Sequence, residues 1–329
     1  MRVVVLHSEI PQNACVDEMD TLVQVNAVSQ TLRDMHHEVS SLPFPICFKE
    51  TIDALRATRP DLVFNLVETV QGKGRLIHMA PSVLDHLMLP YTGSNTEAIF
   101  LTSNKLLAKR LMHSSGLQTP PWLPLHDTGK DLPANHPEYI IKSVWEHASI
   151  GLEENSVVAS RDRALLRNIM EARRDALGGE CFAEAYVHGR EFNISLLAGE
   201  GGPEVLPPAE ILFDAFPPLK PRVIGYRAKW EPDSFEYIHT PRSFEFGGED
   251  NGLLSLLADR VRECWFLFGL KGYARMDFRV DASGIPWIID VNANPCLSPD
   301  AGFIAASKAA GIGAQQVLER IIRDRNVFS

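Results

Sequence analysis

The sequence predicts a protein of mixed α/β and α+β class with two or three domains. The chain has 329 residues, which is enough for more than one hydrophobic core. Strand and helix patterns alternate over the first hundred or so residues, as they do in a parallel α/β domain. A small mixed segment follows, and beyond about residue 180 strand patterns become frequent.

The first predicted domain covers residues 1–101. Two short apolar runs, residues 2–6 and 61–66, predict buried strands. Residues 17–37 and 50–58 predict two helices, with a proline-containing strand region between them. This alternation of strands and helices favours a parallel sheet.

The second predicted domain covers residues 102–180. It opens with a predicted helix at 102–115, which we expect to be capped by Thr102 or Ser103 and ended by Gly116. The other predicted elements are strands at 139–142 and 155–160 and a helix at 161–177.

The third predicted domain covers residues 181–329. Its first two predicted strands, at 182–188 and 191–197, flank Gly189-Arg190, which we interpret as a hairpin turn. A proline-rich segment with weak structure signals comes next. The remaining predictions are a helix at 251–268, a hairpin near residue 283 and a final helix at 303–324.

The bulk composition favours a cytosolic protein that acts on small molecules. The net charge of −10 argues against a nucleic-acid partner. The five cysteines form no CxxC pair, which argues against a disulfide framework or a structural zinc site. No apolar run approaches the ~18 residues of a membrane span, so we expect no membrane partner.

The predicted hairpin, MDFRVDASGIPWIIDVNANP, carries carboxylates inside apolar strands. With a two-residue loop at Ser283-Gly284, Asp277 lies opposite Asp290, and Arg275 lies opposite Asn292. Facing carboxylates destabilise a sheet unless a cation lies between them. Two carboxylates and an amide oxygen suit Mg²⁺, which commonly completes its shell with phosphate oxygens. The alternative is a solvated strand face.

Three further segments fit a metal–nucleotide site. Lys142 ends a strand before a loop with a single glycine, Gly151, so it can reach phosphates that the loop covers, although no Walker A motif is present. Glu184 and Glu191 can accept hydrogen bonds from a ribose or an adenine amino group. Taken alone, Lys142 is equally explained as a solvated lysine at a strand end, and exposed strand glutamates such as Glu184 and Glu191 are more often structural.

Together these segments resemble the ATP-grasp superfamily and, within it, the D-alanine–D-alanine ligases. The resemblance rests on an ordered set of segments along nearly the whole chain. They are Leu62-Val63-Phe64-Asn65-Leu66, Pro90-Tyr91-Thr92-Gly93-Ser94, Asn104-Lys105-Leu106, Gly116-Leu117-Gln118-Thr119-Pro120, Ile141-Lys142, Ser149-Ile150-Gly151, Glu184-Ala185-Tyr186-Val187, Gly189-Arg190-Glu191-Phe192, Tyr226-Arg227-Ala228-Lys229, Arg275-Met276-Asp277 and Asp290-Val291-Asn292-Ala293-Asn294-Pro295.

The resemblance implies a three-domain ATP-grasp fold with ATP bound between the central and C-terminal domains. It implies an ADP-forming ligase that joins a small carboxylate to a small amine through an acyl phosphate, with two Mg²⁺ ions (or Mn²⁺) and a homodimer as the family's usual state. The implied nucleotide contacts are Lys105, Lys142, Glu184, Tyr186, Val187, Glu191 and Lys229. The implied metal ligands are Asp277, Asp290 and Asn292, and the implied catalytic residues are Arg275, Lys229 and Ser149.

The chain departs from the family pattern mainly where amino acids are selected. Two departures are near the metal site: Asp290 stands where the family has Glu, and Cys296 where it has Gly. The others are Ala148 before Ser149, Trp230 after the mobile-loop lysine, Ala301 in place of a serine, and Asp17 or Glu18 at the N-terminal glutamate position. We take Asp17, Trp230, Arg275 and Cys296 as substrate contacts.

These departures favour a ligase that joins substrates other than two D-alanines. A true D-alanine–D-alanine ligase is one alternative. An ATP-binding regulatory protein of the same fold without ligase activity is another, and a different ATP-grasp enzyme, such as a carboxylase, is a third.

Overall fold

The computed structural model describes residues 1–126, 136–145 and 152–328. Its strands form three sheets, of three, four and six strands. Within these ranges, no helix has the length and apolar character needed to cross a bilayer.

The N-terminal sheet is parallel, as predicted, with its first strand in the middle. Val3–Leu6 on that strand is buried on both faces, which explains its continuous apolar run. The third strand ends next to Glu68, at the edge where carboxyl ends of parallel strands meet. The elements are β1 (Arg2–Ser8), α1 (Val16–Asp34), β2 (Glu38–Phe44), α2 (Phe48–Thr58), β3 (Leu62–Leu66) and α3 (Met79–Leu87).

The predicted helix at 102–115 is two helices, α4 (Thr96–Ser103) and α5 (Lys105–Ser114). The cap is Asn104 rather than Thr102 or Ser103, because its Oδ1 accepts a hydrogen bond from Leu107 N at 3.0 Å. The predicted end at Gly116 is confirmed: this glycine has φ +80°.

The second sheet is antiparallel, and α6 packs on it through the buried side chains of Leu166 and Met170. Its last strand in sequence lies in the middle of the sheet and pairs with both neighbours. Strand pairing therefore favours a domain boundary after Ala185, although the boundaries themselves stay predictions. The elements are β4 (Trp122–Pro124), β5 (Glu138–Ser143), β6 (Val157–Ala159), α6 (Arg163–Arg173) and β7 (Cys181–Ala185).

The predicted hairpin at Gly189-Arg190 is wrong, because the chain leaves the second sheet there and enters the third. Strand β8 (Arg190–Leu197) pairs in the six-stranded sheet and not with β7. Gly189 has φ +137°, and a Cβ at this position would lie 1.9 Å from the carbonyl oxygen of Val280. A glycine is needed here for the close crossing of two strands.

The six-stranded sheet is antiparallel, with order β11-β10-β8-β12-β13 and β9 paired to β8. One face packs apolar side chains such as Ile194 and Met276 against Leu257 and Val261 of α9. The other face carries Glu191, Asn193, Arg275 and Asp277, and farther along the same strands it buries Leu197 and Tyr273 in a second apolar cluster. The elements after β8 are β9 (Glu204–Val205), β10 (Ala209–Ile211), α7 (Tyr226–Trp230), α8 (Phe235–Ile238), β11 (Arg242–Ser243), α9 (Asn251–Leu267), β12 (Tyr273–Val280) and β13 (Pro286–Asn292).

The predicted final helix at 303–324 is also two helices, α10 (Gly302–Ala309) and α11 (Ala314–Arg323). Gly311, with φ +72°, breaks the helix between them. Val317 and Ile321 of α11 share a buried cluster with Val3 and Val5 of β1. The C-terminal helix thus joins the first sheet to the third.

Candidate active site

The register predicted for the β12–β13 hairpin is confirmed beside the carboxylates. Asp277 pairs with Asp290, and Arg275 pairs with Asn292. Side chains of directly paired residues lie on one face of a sheet. The hairpin therefore brings the three predicted metal ligands and Arg275 together.

The predicted two-residue loop of this hairpin is wrong. The backbone N–H of Asp281 donates to the carbonyl oxygen of Ile285 at 3.1 Å, so the loop has three residues. Gly284 takes φ +77°, as the last residue of such a loop requires. A bulge at Ile289, where the register shifts between Asp277 and Phe278, offsets the extra loop residue.

The hairpin forms one wall of a cleft of about 670 Å³, which residues from all three sheets line. Strand β8 contributes Glu191 and Asn193 to this wall, opposite Arg279 and Asp277. The following predicted site residues line the cleft: Lys105, Lys142, Glu184, Tyr186, Val187, Glu191, Lys229, Trp230, Arg275, Asp277, Asp290, Asn292 and Cys296.

Two sequence predictions fall outside what can be described. Ser149 and the side chain of Asp17 lie outside the described residues. Glu18, the other N-terminal candidate, lines the cleft, but its Oε2 accepts a hydrogen bond from Cys15 N at 2.9 Å and so caps α1.

Each predicted metal-binding carboxylate lies beside a cation. Nε and Nη2 of Arg275 donate to the two carboxylate oxygens of Asp277, at 2.8 and 3.0 Å. Nζ of Lys105 lies 3.6 Å from Oδ1 of Asp290. Burial and the charge of Arg275 lower the pKa of Lys229, while Asp277 and Asp290 oppose this shift.

A buried lysine–carboxylate group lies behind the predicted phosphate site. Both Lys142 and Lys109 contact the carboxylate of Glu184, which is 1% exposed. Burial alone raises the pKa of Glu184, but the two lysines more than reverse this and lower it. Burial lowers the pKa of Lys109 to about 8, against the opposing effect of Glu184.

Lys109 was missed from the sequence. It follows Lys105 by one helical turn on α5, and this spacing is the signal that could have identified it. Its Nζ also donates to Thr119 Oγ1 at 2.6 Å, within the Thr119-Pro120 segment of the resemblance.

The chain between the second and third sheets forms the predicted adenine side of the cleft. The Tyr186 hydroxyl accepts a hydrogen bond from Arg222 N at 2.9 Å and one from Arg279 Nη2 at 3.2 Å. Nη1 of Arg279 lies 3.4 Å from Oε2 of Glu191. Burial raises the pKa of Glu191, and Arg279 opposes the shift. Arg279, on the same strand face as Asp277, was also missed.

The end of the cleft nearest β1 is acidic and holds Cys296. The Cys296 thiol donates to Asp20 Oδ2 at 3.1 Å, and the Ser298 hydroxyl donates to Asp20 Oδ1 at 2.9 Å. Burial and the charge of Glu68 raise the pKa of Cys296, so it stays a thiol. Burial raises the pKa of Glu68 to about 7. The hydrogen bond that Gln24 Nε2 donates to Glu68 Oε1, at 2.8 Å, opposes this shift.

Asp20, Glu68 and Ser298 were missed from the sequence. Glu68 follows a parallel strand at its carboxyl end, which is where ligands commonly bind in such sheets. Asp20 lies one turn after Asp17 on α1, and it lines the cleft.

The sequence is similar to those of known ligases. The family model described as D-ala D-ala ligase C-terminus matches residues 111–323. The D-alanine–D-alanine ligase of Methylococcus capsulatus is 31% identical over 281 residues, which cover 83% of this chain and 82% of that protein. That of Moorella thermoacetica is 26% identical over 309 residues, or 90% of this chain and 91% of that protein.

A solved structure shares the fold over nearly its whole length. The crystal structure of D-alanine–D-alanine ligase from Bacillus anthracis, complexed with ATP, has a TM-score of 0.72 and 20% sequence identity, and the match covers 98% of this chain and 97% of that one. The predicted ATP-grasp fold is therefore confirmed. With a family model that spans more than half of its residues, this chain belongs to the D-alanine–D-alanine ligase family of ATP-grasp ligases.

Proposed function

We propose that this protein uses ATP to join the carboxylate of one amino-acid-like substrate to the amine of another, and releases ADP and phosphate. One observation carries the proposal: Lys105, Lys142 and Lys229 line the same cleft as the paired carboxylates Asp277 and Asp290. Phosphoryl transfer requires this kind of positioned positive charge more than covalent help from the protein.

In the proposed complex, Lys105 and Lys142 hold the α and β phosphates of ATP. Glu184 positions Lys142 by pairing with its ammonium group. It also lines the part of the cleft proposed to hold the adenine. Tyr186 and Val187 lie beside the adenine, and Glu191 accepts hydrogen bonds from the ribose. The Tyr186 hydroxyl is already bonded to the Arg222 backbone, so the ring and the backbone carry the contact with the base.

The residues fit Mg²⁺. The proposed donor set is Asp277 and Asp290 with the amide oxygen of Asn292, which share one face of the hairpin. Oxygens of phosphate and water would complete it. When bound, two Mg²⁺ ions would neutralise the β and γ phosphates. Mn²⁺, which takes the same oxygen ligands, is expected to substitute.

The proposed reaction has two steps. A substrate carboxylate oxygen attacks the γ phosphorus, and the bond between the γ phosphorus and the β-phosphate oxygen breaks. The products are ADP and an acyl phosphate. The amine then attacks the acyl carbon and loses a proton to solvent, the bond from the acyl carbon to the phosphate oxygen breaks, and phosphate leaves. Lys229 contacts the transferring phosphoryl group, and Nη1 of Arg275, the guanidinium nitrogen not bonded to Asp277, stabilises the oxyanion. A role for Ser149 in the covering loop stays a prediction.

The acidic end of the cleft is the proposed site for the amino group of the first substrate. Asp20 and Glu68 offer two carboxylates to an ammonium group, and Cys296 and Ser298 fix the orientation of Asp20. We propose that Cys296 and Trp230 contact the substrates and that Cys296 is no nucleophile. A true D-alanine–D-alanine ligase is compatible with the family relationship. A screen of amino-acid pairs distinguishes it from a ligase with altered substrates.

The test is an ADP-release screen with all pairs from a panel of D- and L-amino acids, with mass spectrometry of the products. We expect a ligated product for at least one pair, with D-alanine alone turned over slowly. Rapid turnover of D-alanine alone would contradict the altered specificity, and no ADP release across the panel would contradict the ligase. A cytosolic location and a homodimer stay predictions that fractionation and light scattering would check.

A further inference from the structure

Arg242 brings a second guanidinium to the cleft near Arg275. It lies on the edge strand β11, paired with Ile211 of β10, and lines the cleft although it keeps much of its surface in water. A Cβ at Gly302 would lie 3.7 Å from Arg275 Nη1 and 4.0 Å from Arg242 Nε and Cζ. The two guanidinium groups therefore converge on the first residue of α10.

Arg242 has little compensation for its charge. Within the described part of the chain, its one polar contact runs from Nη1 to the backbone oxygen of Asp300, at a long 3.4 Å. Crowding by protein lowers the pKa of Arg242, and the charge of Arg275 lowers it further, while Asp300 and Tyr237 oppose the shift. An arginine in this setting is stabilised by an added anion.

The start of α10 adds positive character to the same place. Ala301, the N-cap residue, offers no side-chain oxygen to the first-turn N–H groups. Gly302 has no side chain to fill the space in front of them. Asp277 already pairs with Arg275, so the uncompensated positive charge here is that of Arg242 and of the positive end of an eight-residue helix, which together exceed the charge of one carboxylate.

We propose that the amine substrate carries two acidic groups, as an α-amino dicarboxylate does, and that Arg242 binds the second of them. This inference rests on the proposed ligase function. The first-turn N–H groups of α10 hold the carboxylate next to the amine, beside the oxyanion that Arg275 stabilises. Arg242 holds the side-chain carboxylate at the mouth of the cleft. Arg242 thus determines specificity for the amine substrate.

The first test is direct binding, which does not depend on turnover. Aspartate and glutamate, each as both enantiomers, are titrated calorimetrically into the protein with a non-hydrolysable ATP analogue and Mg²⁺, beside asparagine, glutamine and alanine. We expect one dicarboxylate to bind about 10- to 100-fold more tightly than its amide, as loss of a charged hydrogen bond predicts. Equal binding of acid and amide would overturn the inference.

Variants then assign the preference to Arg242. Arg242→Ala should lose the preference of acid over amide, and Arg242→Lys should keep part of it. Arg262→Ala, which removes an exposed arginine on α9, is the matched control and should change nothing. In ADP release, Arg242→Ala should raise KM for the dicarboxylate with little change in kcat. Equal weakening of alanine and the dicarboxylate would mean that Arg242 binds the common carboxylate, and would refute the inference while leaving the ligase function standing.

Discussion

The carboxylate of Glu184 on β7 contacts the ammonium group of Lys142 on the neighbouring strand β5, and both side chains are largely buried. Lys109 contacts the other carboxylate oxygen from α5. The lysine predicted to hold phosphate is thus fixed before any nucleotide arrives. Pre-positioned charge of this kind avoids the cost of reorganising the site during phosphoryl transfer.

Glu184→Gln should strongly destabilise the fold, because it leaves Lys109 and Lys142 without their buried counter-charge. We expect a loss of about 3 kcal/mol in the free energy of unfolding, measured by urea denaturation. Adding Lys109→Met should restore part of the loss, since it removes one of the stranded charges. If Glu184→Gln unfolds at the same urea concentration as the wild type, the ion pairs of Glu184 with Lys109 and Lys142 do not stabilise the fold.

Asp277→Asn should weaken the use of Mg²⁺ without unfolding the protein. The expected result is a rise of about tenfold or more in the Mg²⁺ concentration for half-maximal ADP release. Asp281→Asn is the control on the same hairpin: Asp281 bonds the turn through Ser283 N at 2.8 Å and does not line the cleft. It should lower stability and leave the Mg²⁺ dependence alone. The reverse pattern would show that the metal lies elsewhere.

Glu68 should make stability fall as pH rises. Its folded-state pKa is raised to about 7, so between the ordinary carboxyl range near 4.5 and pH 7 the folded chain binds the proton more tightly than the unfolded chain does. Its stabilising effect is thus complete below the unfolded pKa and lost as pH passes through the folded one. Relative to wild type, Glu68→Gln should be more stable at pH 8 than at pH 5.

Urea denaturation at several pH values would measure this difference, which we expect to be at most about 3 kcal/mol. Glu9→Gln is the control, since Glu9 lines the same cleft but is exposed. A difference between Glu68→Gln and wild type that stays constant from pH 5 to pH 8 would argue that Glu68 titrates normally.

Gly189→Ala should damage the crossing between the second and third sheets. The added Cβ would meet the Val280 carbonyl oxygen at 1.9 Å, in a backbone conformation that disfavours a side chain. We expect a loss of about 2 kcal/mol or more, seen as a lower unfolding temperature. Gly201→Ala, where nothing lies within 4 Å of the new Cβ, should change the unfolding temperature little. Similar effects at both positions would contradict this account.

The sequence predicted strands and their pairing better than it predicted boundaries and turns. The sequence placed Asp277 opposite Asp290 on the assumption of a two-residue loop, and this register holds because the bulge at Ile289 offsets the third loop residue. It could not separate α4 from α5, since Asn104 acts as a cap only through its side-chain geometry. Gly189 was interpreted as part of a hairpin turn because glycine is favoured wherever φ is positive. A turn and a strand crossing both need such a residue.

The candidate site divides in the same way. Arg275, Asp277, Asp290 and Asn292 on β12 and β13 could be placed from the sequence, and the structure brings them into one cleft. Glu68, Asp20 and Arg242 could not, because they reach the cleft from separate elements whose arrangement depends on tertiary packing. Lys109 lies between these cases, since helical spacing relates it to Lys105 but only the fold buries it against Glu184.

The three-residue loop and the bulge at Ile289 are two irregularities that cancel each other. The extra residue in the turn would slip β13 by one position, and the extra residue in the strand slips it back before Asp290 is reached. The half of the hairpin beyond the bulge, which carries the carboxylates, therefore keeps the register that a two-residue loop would give it. Insertions at the tip can accumulate during evolution, provided that a compensating bulge follows, while the pair of carboxylates stays in register.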